Sequence, residues 1–147
     1  MFADVHSAKA VRDLAIECMA RFNRSAVAVR EHACEPYWLA YRHALGRVMG
    51  DVVLAINATI EEFRHLQPTE DEWTEVESAR LSAPEIEALQ SAAGAQALAP
   101  HLDDIETRLA RLSLLLGPNW HPWADPTWHY PELRRIASQD WSTSPTA

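Results

Sequence analysis

The chain has 147 residues, 48% of them hydrophobic, and a formal net charge of -8 at pH 7. This length and apolar content are typical of one domain with its own core, so we expect a single helical domain over residues 1 to 147. Because nucleic-acid binding needs a basic face, 21 acidic against 13 basic residues argue against it. The chain has neither a run of 18 apolar residues nor a signal-peptide pattern at its start, so we expect no membrane segment and a cytoplasmic location.

The first helix is predicted from about residue 4 to residue 34. Apolar residues recur there at intervals of three and four positions, which is the period of an amphipathic helix, and Asp4 is placed to cap its start. Pro36 restricts the residue before it to extended backbone and suits the first turn of a new helix. We therefore predict a sharp corner just before Pro36.

A second long helix follows this corner. Its apolar stripe runs from Trp38 to Phe63, and the helix is predicted to end near Leu66, before a proline. Two long helices joined by a tight corner form an antiparallel hairpin.

The opposite side of the second helix carries polar residues and two glycines. The polar stripe contains Tyr37, His43, Arg47 and Asp51. We expect a solvent-exposed face on which Arg47 and Asp51 pair one turn apart, and a buried polar cluster between helices is the open alternative. Gly46 and Gly50 each weaken a helix, so they predict the close approach of another helix or a large side chain.

Two capping boxes mark shorter helices in the middle of the chain. Thr69 with Glu72, and Ser82 with Glu85, have the spacing in which each side chain bonds the backbone N–H of the other. Short helices are therefore predicted to begin at about residues 70 and 83.

The C-terminal part combines a long helix with an unusual segment. Helical periodicity from Pro100 predicts a helix that stops at Gly117. The Trp- and Pro-rich segment that follows reads "NWHPWADPTWHYPEL", and Pro131 is placed to open a short last helix. Three prolines exclude a continuous helix, and the exposure of so many aromatic side chains to water is unfavourable. We expect residues 119 to 147 to fold back on the hairpin as a clasp, and exposed partner recognition is the alternative.

The predicted fold class follows from these elements. No segment alternates apolar and polar residues as a half-buried strand does. We predict an all-α protein, a helical bundle of four to five main helices built on the long N-terminal antiparallel hairpin. The bundle occupies residues 1 to 118, and the Trp- and Pro-rich C-terminal segment packs back on it.

Metal chemistry has two weak candidates in the sequence. Glu62 and His65 form one Glu-x-x-His pair, which occurs twice in di-metal bundles, but the histidine points away from the apolar stripe. A zinc site could be imagined from His101, His121, Asp125 and His129, whose spacing matches no usual zinc motif. No nucleophile motif or glycine-rich phosphate loop occurs. We expect no catalytic residue, no metal ligand and no cofactor.

The charge distribution carries the strongest functional signal. Residues 61 to 106 hold twelve acidic and two basic residues, whereas the segments before and after this stretch are each close to neutral. Seven of these acids are Glu61, Glu62, Glu70, Asp71, Glu72, Glu75 and Glu77, and Arg64 is the only basic residue within positions 61 to 77. Helix capping needs only one or two carboxylates. The excess is either a solubilising face or an acidic docking surface, with Trp73 as an aromatic anchor.

These features favour a non-catalytic protein that acts by binding another protein. The hypothesis is that the seven acids and Trp73 bind and neutralise a basic protein partner, as immunity proteins, antitoxins or phage inhibitors do. One alternative is a helical-bundle metalloprotein using Glu62 and His65 with Glu17 or Glu31 of the first helix. Another is a structural homo-oligomer formed through the hairpin. The sequence identifies neither the partner nor the oligomeric state.

Overall fold

A computed structural model describes residues 2 to 91, 95 to 118, 120 to 121 and 124 to 145. This part of the chain contains no strand, and its α-helices are α1 (Val5–His32), α2 (Glu35–Glu62), α3 (Glu70–Ser78), α4 (Ala83–Ser91), α5 (Ala95–Leu116) and α6 (Tyr130–Ala137). A 3-10 turn at Arg64–Leu66 follows α2, so α2 ends slightly before its predicted boundary. The protein is an all-α bundle built on a long N-terminal helical hairpin, as the sequence predicts.

Local capping explains where α1 and α2 begin. The Asp4 carboxylate accepts a hydrogen bond from the backbone N–H of Ser7 at 2.8 Å, which satisfies one of the free donors at the start of α1. Helix α1 continues without a break through Ser25, whose buried hydroxyl accepts a 2.8 Å hydrogen bond from Tyr41 of α2. Pro36 lies in the first turn of α2, directly after the extended corner. The hairpin and its corner are therefore confirmed.

Helix α1 contacts three other helices. It packs against α2, α3 and α5, while α6 packs against both α2 and α5. Ion pairs from Arg21 to Asp104 at 2.7 Å and from Arg108 to Glu17 at 3.4 Å show that α5 runs antiparallel to α1. One cluster of buried apolar side chains includes residues from all six helices.

The prediction of a solvent-exposed polar face on α2 is wrong in part. Tyr37 is completely buried, with its ring 6.3 Å from the buried ring of Tyr41. Asp51 is only 6% exposed, because His129, in the segment before α6, bonds it. The predicted Arg47 to Asp51 pair does not form. Asp51 instead bonds the His129 ring at 2.7 Å, and Arg47 pairs with Glu132 at 3.2 Å. The open alternative, a buried polar cluster, describes Asp51 better.

The predicted close approach at Gly46 and Gly50 is also wrong within the described residues. Both glycines are exposed on α2, and a Cβ atom placed at either position would meet no other atom within 4 Å. The low helix propensity of glycine is therefore not offset by packing at these two positions.

Helix α5 begins five residues before its predicted start at Pro100. A proline inside a helix removes one backbone hydrogen bond, but Leu98 and Leu102 on either side of it are buried in the core. The core packing of Leu98 and Leu102 therefore outweighs the local preference of Pro100 for a helix start. The low helix propensity of Gly94 also predicts a break before Pro100, but this residue falls outside the described residues. The predicted stop is confirmed, because Gly117 has a φ of 80° and its N–H bonds the Ser113 carbonyl at 3.1 Å.

The segment after α5 is partly buried and partly exposed. Trp120 and Tyr130 are buried, Trp128 is 59% exposed, and Trp123 lies outside the described residues. Trp141, beyond α6, is also buried, and its carbonyl accepts a 2.8 Å hydrogen bond from the backbone N–H of Cys34. The role of this segment as a clasp stays a prediction. Among the described residues, no helix has the length and apolar character to cross a membrane.

Candidate functional site

The acidic segment is organised around the first turn of α3. The Thr69 hydroxyl accepts a hydrogen bond from the Glu72 N–H at 3.1 Å, and the Glu72 carboxylate accepts one from the Thr69 N–H at 3.0 Å. This is the predicted capping box, which fixes where α3 begins. The bond from the Thr69 backbone, together with the neighbouring Arg12 guanidinium, lowers the pKa of Glu72. The contacts that close the helix end therefore favour the ionised form of Glu72.

Arg12 of α1 fastens this end of α3 to the bundle. Its guanidinium binds the Glu72 carboxylate and also donates a hydrogen bond to the Leu66 carbonyl at 3.0 Å. The Arg12 side chain is only 13% exposed, so its pair with Glu72 is shielded more than an ordinary surface pair. Glu72 thus has a structural role, and a partner that bound its carboxylate in place of Arg12 would loosen the attachment of α3 to the bundle.

Two more of the predicted binding residues have contacts within the chain. The Glu62 carboxylate accepts hydrogen bonds from the backbone N–H of Phe2 at 3.2 and 3.3 Å. Trp73 is half-buried and packs against the core. These contacts limit the surface that Glu62 and Trp73 can offer to another molecule.

The remaining predicted residues are exposed. They are Glu61 in the last turn of α2 and Glu70, Asp71, Glu75 and Glu77 in α3. Among the described residues, none of these five carboxylates makes a side-chain hydrogen bond or an ion pair. Asp71 and Glu75 also lie one helical turn apart, where like charges repel. The arrangement costs stability and places negative charge on the outer side of α3.

The other end of the acidic stretch has a different role. Asp104 of α5 pairs with Arg21 of α1 at 2.7 Å. Asp103 and Glu106 both approach Arg134 of α6, at 2.6 and 3.8 Å. These acids therefore join α5 to its neighbours. Asp104 also pairs with Arg108, one turn away in α5, but the partners on other helices are at least 28 positions away along the chain, so the sequence does not reveal these contacts between helices.

The residues of the two metal arrangements are held by other groups. His129 bonds Asp51, His101 lies 3.5 Å from Glu85, and His65 is exposed beside Phe63. Asp125 instead accepts hydrogen bonds from neighbouring hydroxyl groups. In the described ranges, no three His, Cys, Asp or Glu side chains are grouped so that they could hold a metal ion.

No family model matches the chain, and no curated protein or solved structure is significantly similar to it. The functional proposals therefore depend on the contacts, burial and charge of this chain.

Proposed function

We propose that the protein binds a basic protein partner through the acidic surface, defined as Glu61, Glu70, Asp71, Glu75 and Glu77. The observation that supports this is the contrast within one acidic stretch. Six other acids of the stretch cap helices or bind another part of the chain, while these five, like Glu87 of α4, are exposed and have no side-chain partner among the described residues. Glu70 and Asp71 also favour the N-terminus of α3, but Glu61, Glu75 and Glu77 have no structural role among the described residues.

The physical argument concerns both rate and selectivity. A patch with one sign of charge attracts a partner of opposite sign before contact and repels partners of the same sign. Such a patch also destabilises the folded chain, because its like charges repel one another. Solubility alone would not require these charges to be concentrated at one helix, whereas a binding role would account for their concentration. The net charge of -8 extends this field beyond the patch.

The proposed effect on the partner is neutralisation. A protein that acts on nucleic acid needs a basic face for the phosphates, and an acidic helix that occupies this face competes with the substrate. In this proposal the protein is non-catalytic and works in the cytoplasm, in the manner of an immunity protein, antitoxin or phage inhibitor.

The test compares two variants of equal charge. Glu75→Lys with Glu77→Lys changes the acidic surface but avoids the first turn of α3, where lysine would oppose the helix dipole. Glu31→Lys with Glu87→Lys changes two other exposed acids, in α1 and α4. Tagged wild-type and variant proteins are used to capture partners from cells that express the protein, and the affinity for the purified partner is measured at rising salt concentration.

The proposal expects the wild type and the α1/α4 variant to capture the same basic protein. The α3 variant should lose at least tenfold in affinity, and wild-type binding should weaken with salt because the charges are exposed. Equal capture by both variants, or an affinity that does not change with salt, contradicts the proposal. Melting curves of both variants verify that the fold is retained.

A further inference from the structure

A small cavity lies between the C-terminal end of α5 and the segment that follows it. Its volume is about 200 Å³, and its lining includes Ser113, Trp120, His121, Asp125 and Trp128. This space equals roughly seven water molecules at liquid density. It can therefore hold the head group of a small organic molecule.

Asp125 is fixed in place at the wall of this cavity. One carboxylate oxygen, Oδ1, accepts hydrogen bonds from the Thr127 backbone N–H at 2.9 Å and from the Thr127 hydroxyl at 2.7 Å. The Ser113 hydroxyl lies 3.2 Å from both carboxylate oxygens. The second oxygen, Oδ2, has no other hydrogen-bond donor among the described residues. A carboxylate has about four acceptor sites, so Oδ2 can still receive a donor or face a positive charge.

Two tryptophans supply aromatic surface around the carboxylate. Trp120 is 7% exposed, and its indole N–H donates a 3.3 Å hydrogen bond to the Ala124 carbonyl, which fixes the ring. Trp128 is 59% exposed, which is unusual for so large an apolar side chain. The cavity thus combines one buried indole, one solvent-exposed indole, one carboxylate, the Ser113 hydroxyl and the His121 ring, whose centroid lies 4.9 Å from that of Trp120.

Other classes of ligand fit this lining less well. An anion would be repelled by Asp125, and one carboxylate is too few ligands for a metal ion. The Ser113 hydroxyl bonds the Asp125 carboxylate, and among the described residues no histidine or lysine is hydrogen-bonded to it as in a usual nucleophile pair. A neutral apolar molecule would offer neither a donor nor a positive charge to Asp125 Oδ2.

We propose that this cavity binds the head group of an organic ammonium ion. An ammonium group in this cavity would lie beside both indoles, whose quadrupoles attract cations as in aromatic cages for quaternary ammonium groups, and Asp125 supplies the opposite charge. A free small molecule and a methylated lysine side chain on a peptide share this chemistry. The inference is independent of the acidic surface, since it uses none of those five residues.

The test measures tryptophan fluorescence of the intact protein during titration. Choline is the charged probe, and 3,3-dimethylbutan-1-ol, which has the same shape without the charge, is the neutral control. Saturable choline binding with a dissociation constant on the order of 1 mM, and at least tenfold weaker binding of the alcohol, supports the proposal. Equal binding of the two probes, or no saturation with choline, overturns it. A trimethyllysine peptide that binds more tightly than choline identifies a protein ligand, and weaker binding identifies a free one.

Three substitutions locate the site. Trp128→Ala removes an exposed ring, and Asp125→Asn removes the charge while keeping an oxygen that can accept the Thr127 hydrogen bonds. Leu114→Ala is the matched control, because Leu114 is 82% exposed on the same end of α5 and does not line the cavity. The first two should weaken choline binding at least tenfold and the control should leave it unchanged. Wild-type affinity in Asp125→Asn, or equal loss in Leu114→Ala, overturns the assignment.

Discussion

Asp51 and Arg47 are neighbours on α2, and both bind residues that follow α5, but their surroundings differ. The Asp51 side chain is 9% exposed where it meets His129, whereas Arg47 is 50% exposed where it meets Glu132. A hydrogen bond to a charged group contributes more when water cannot compete for it, and removing one partner leaves the other poorly satisfied. Comparing the two contacts therefore separates the effect of burial from the effect of charge at neighbouring positions in the fold.

We expect Asp51→Ala to lower the free energy of unfolding by about 1 to 3 kcal/mol, because His129 loses a shielded partner. Arg47→Ala should lower it by less than about 1 kcal/mol, as is usual for exposed ion pairs. Urea unfolding of both variants at pH 7 measures these differences. Equal losses for the two variants would mean that the His129 contact contributes no more than a surface pair.

At the scale of single elements, the predictions that were confirmed depend on local chemistry. Asp4 and the Thr69–Glu72 box fix helix starts, and Gly117 fixes a helix end, through contacts within four residues. The wrong interpretation of α2 has a distant cause, since the chain that covers Asp51 lies 78 positions later. The acidic stretch can also be predicted from the sequence, because its residues are close together along the chain. Its division into exposed and paired carboxylates cannot be predicted in this way, because pairing depends on how the helices pack.

The two glycines of α2 give a prediction at this scale. Gly46→Ala and Gly50→Ala should each stabilise the protein by roughly 0.5 to 1 kcal/mol, because alanine has the higher helix propensity and its Cβ meets no atom within 4 Å. Thermal and urea unfolding measure the gain. Gly117→Ala is the control with the opposite sign, since its φ of 80° strains any residue with a Cβ atom. Destabilisation by the α2 substitutions would instead show that this face contacts another molecule.

At the scale of the whole molecule, both ends of the described chain are attached to the hairpin. The Phe2 N–H binds the Glu62 carboxylate at the end of α2, and the Trp141 carbonyl accepts from Cys34 at the corner. Between them, α6 contributes Leu133 and Ile136 to the core. The hairpin alone would therefore expose a large apolar surface on the side that α6 covers.

The strongest test of this organisation removes residues 119 to 147. Among the described residues, the deletion removes five large buried side chains, namely Trp120, Tyr130, Leu133, Ile136 and Trp141. Burial of one such side chain contributes about 1.5 to 3 kcal/mol, so their sum is comparable with the whole net stability of a domain, roughly 5 to 15 kcal/mol. We expect the shortened chain to lose its cooperative melting transition, as followed by circular dichroism.

A second truncation controls for chain length. A chain that ends at residue 142 keeps Trp141 and should melt within a few degrees of the full protein, because Thr143 and Ser144 are exposed.

The point variant Leu133→Ala should lower the free energy of unfolding by about 2 to 5 kcal/mol, since this side chain is completely buried. If the chain of residues 1 to 118 instead melted like the full protein, the C-terminal segment would not complete the core. Its aromatic residues would then be available for binding, and the cavity around Asp125 would be the first place to look for a ligand.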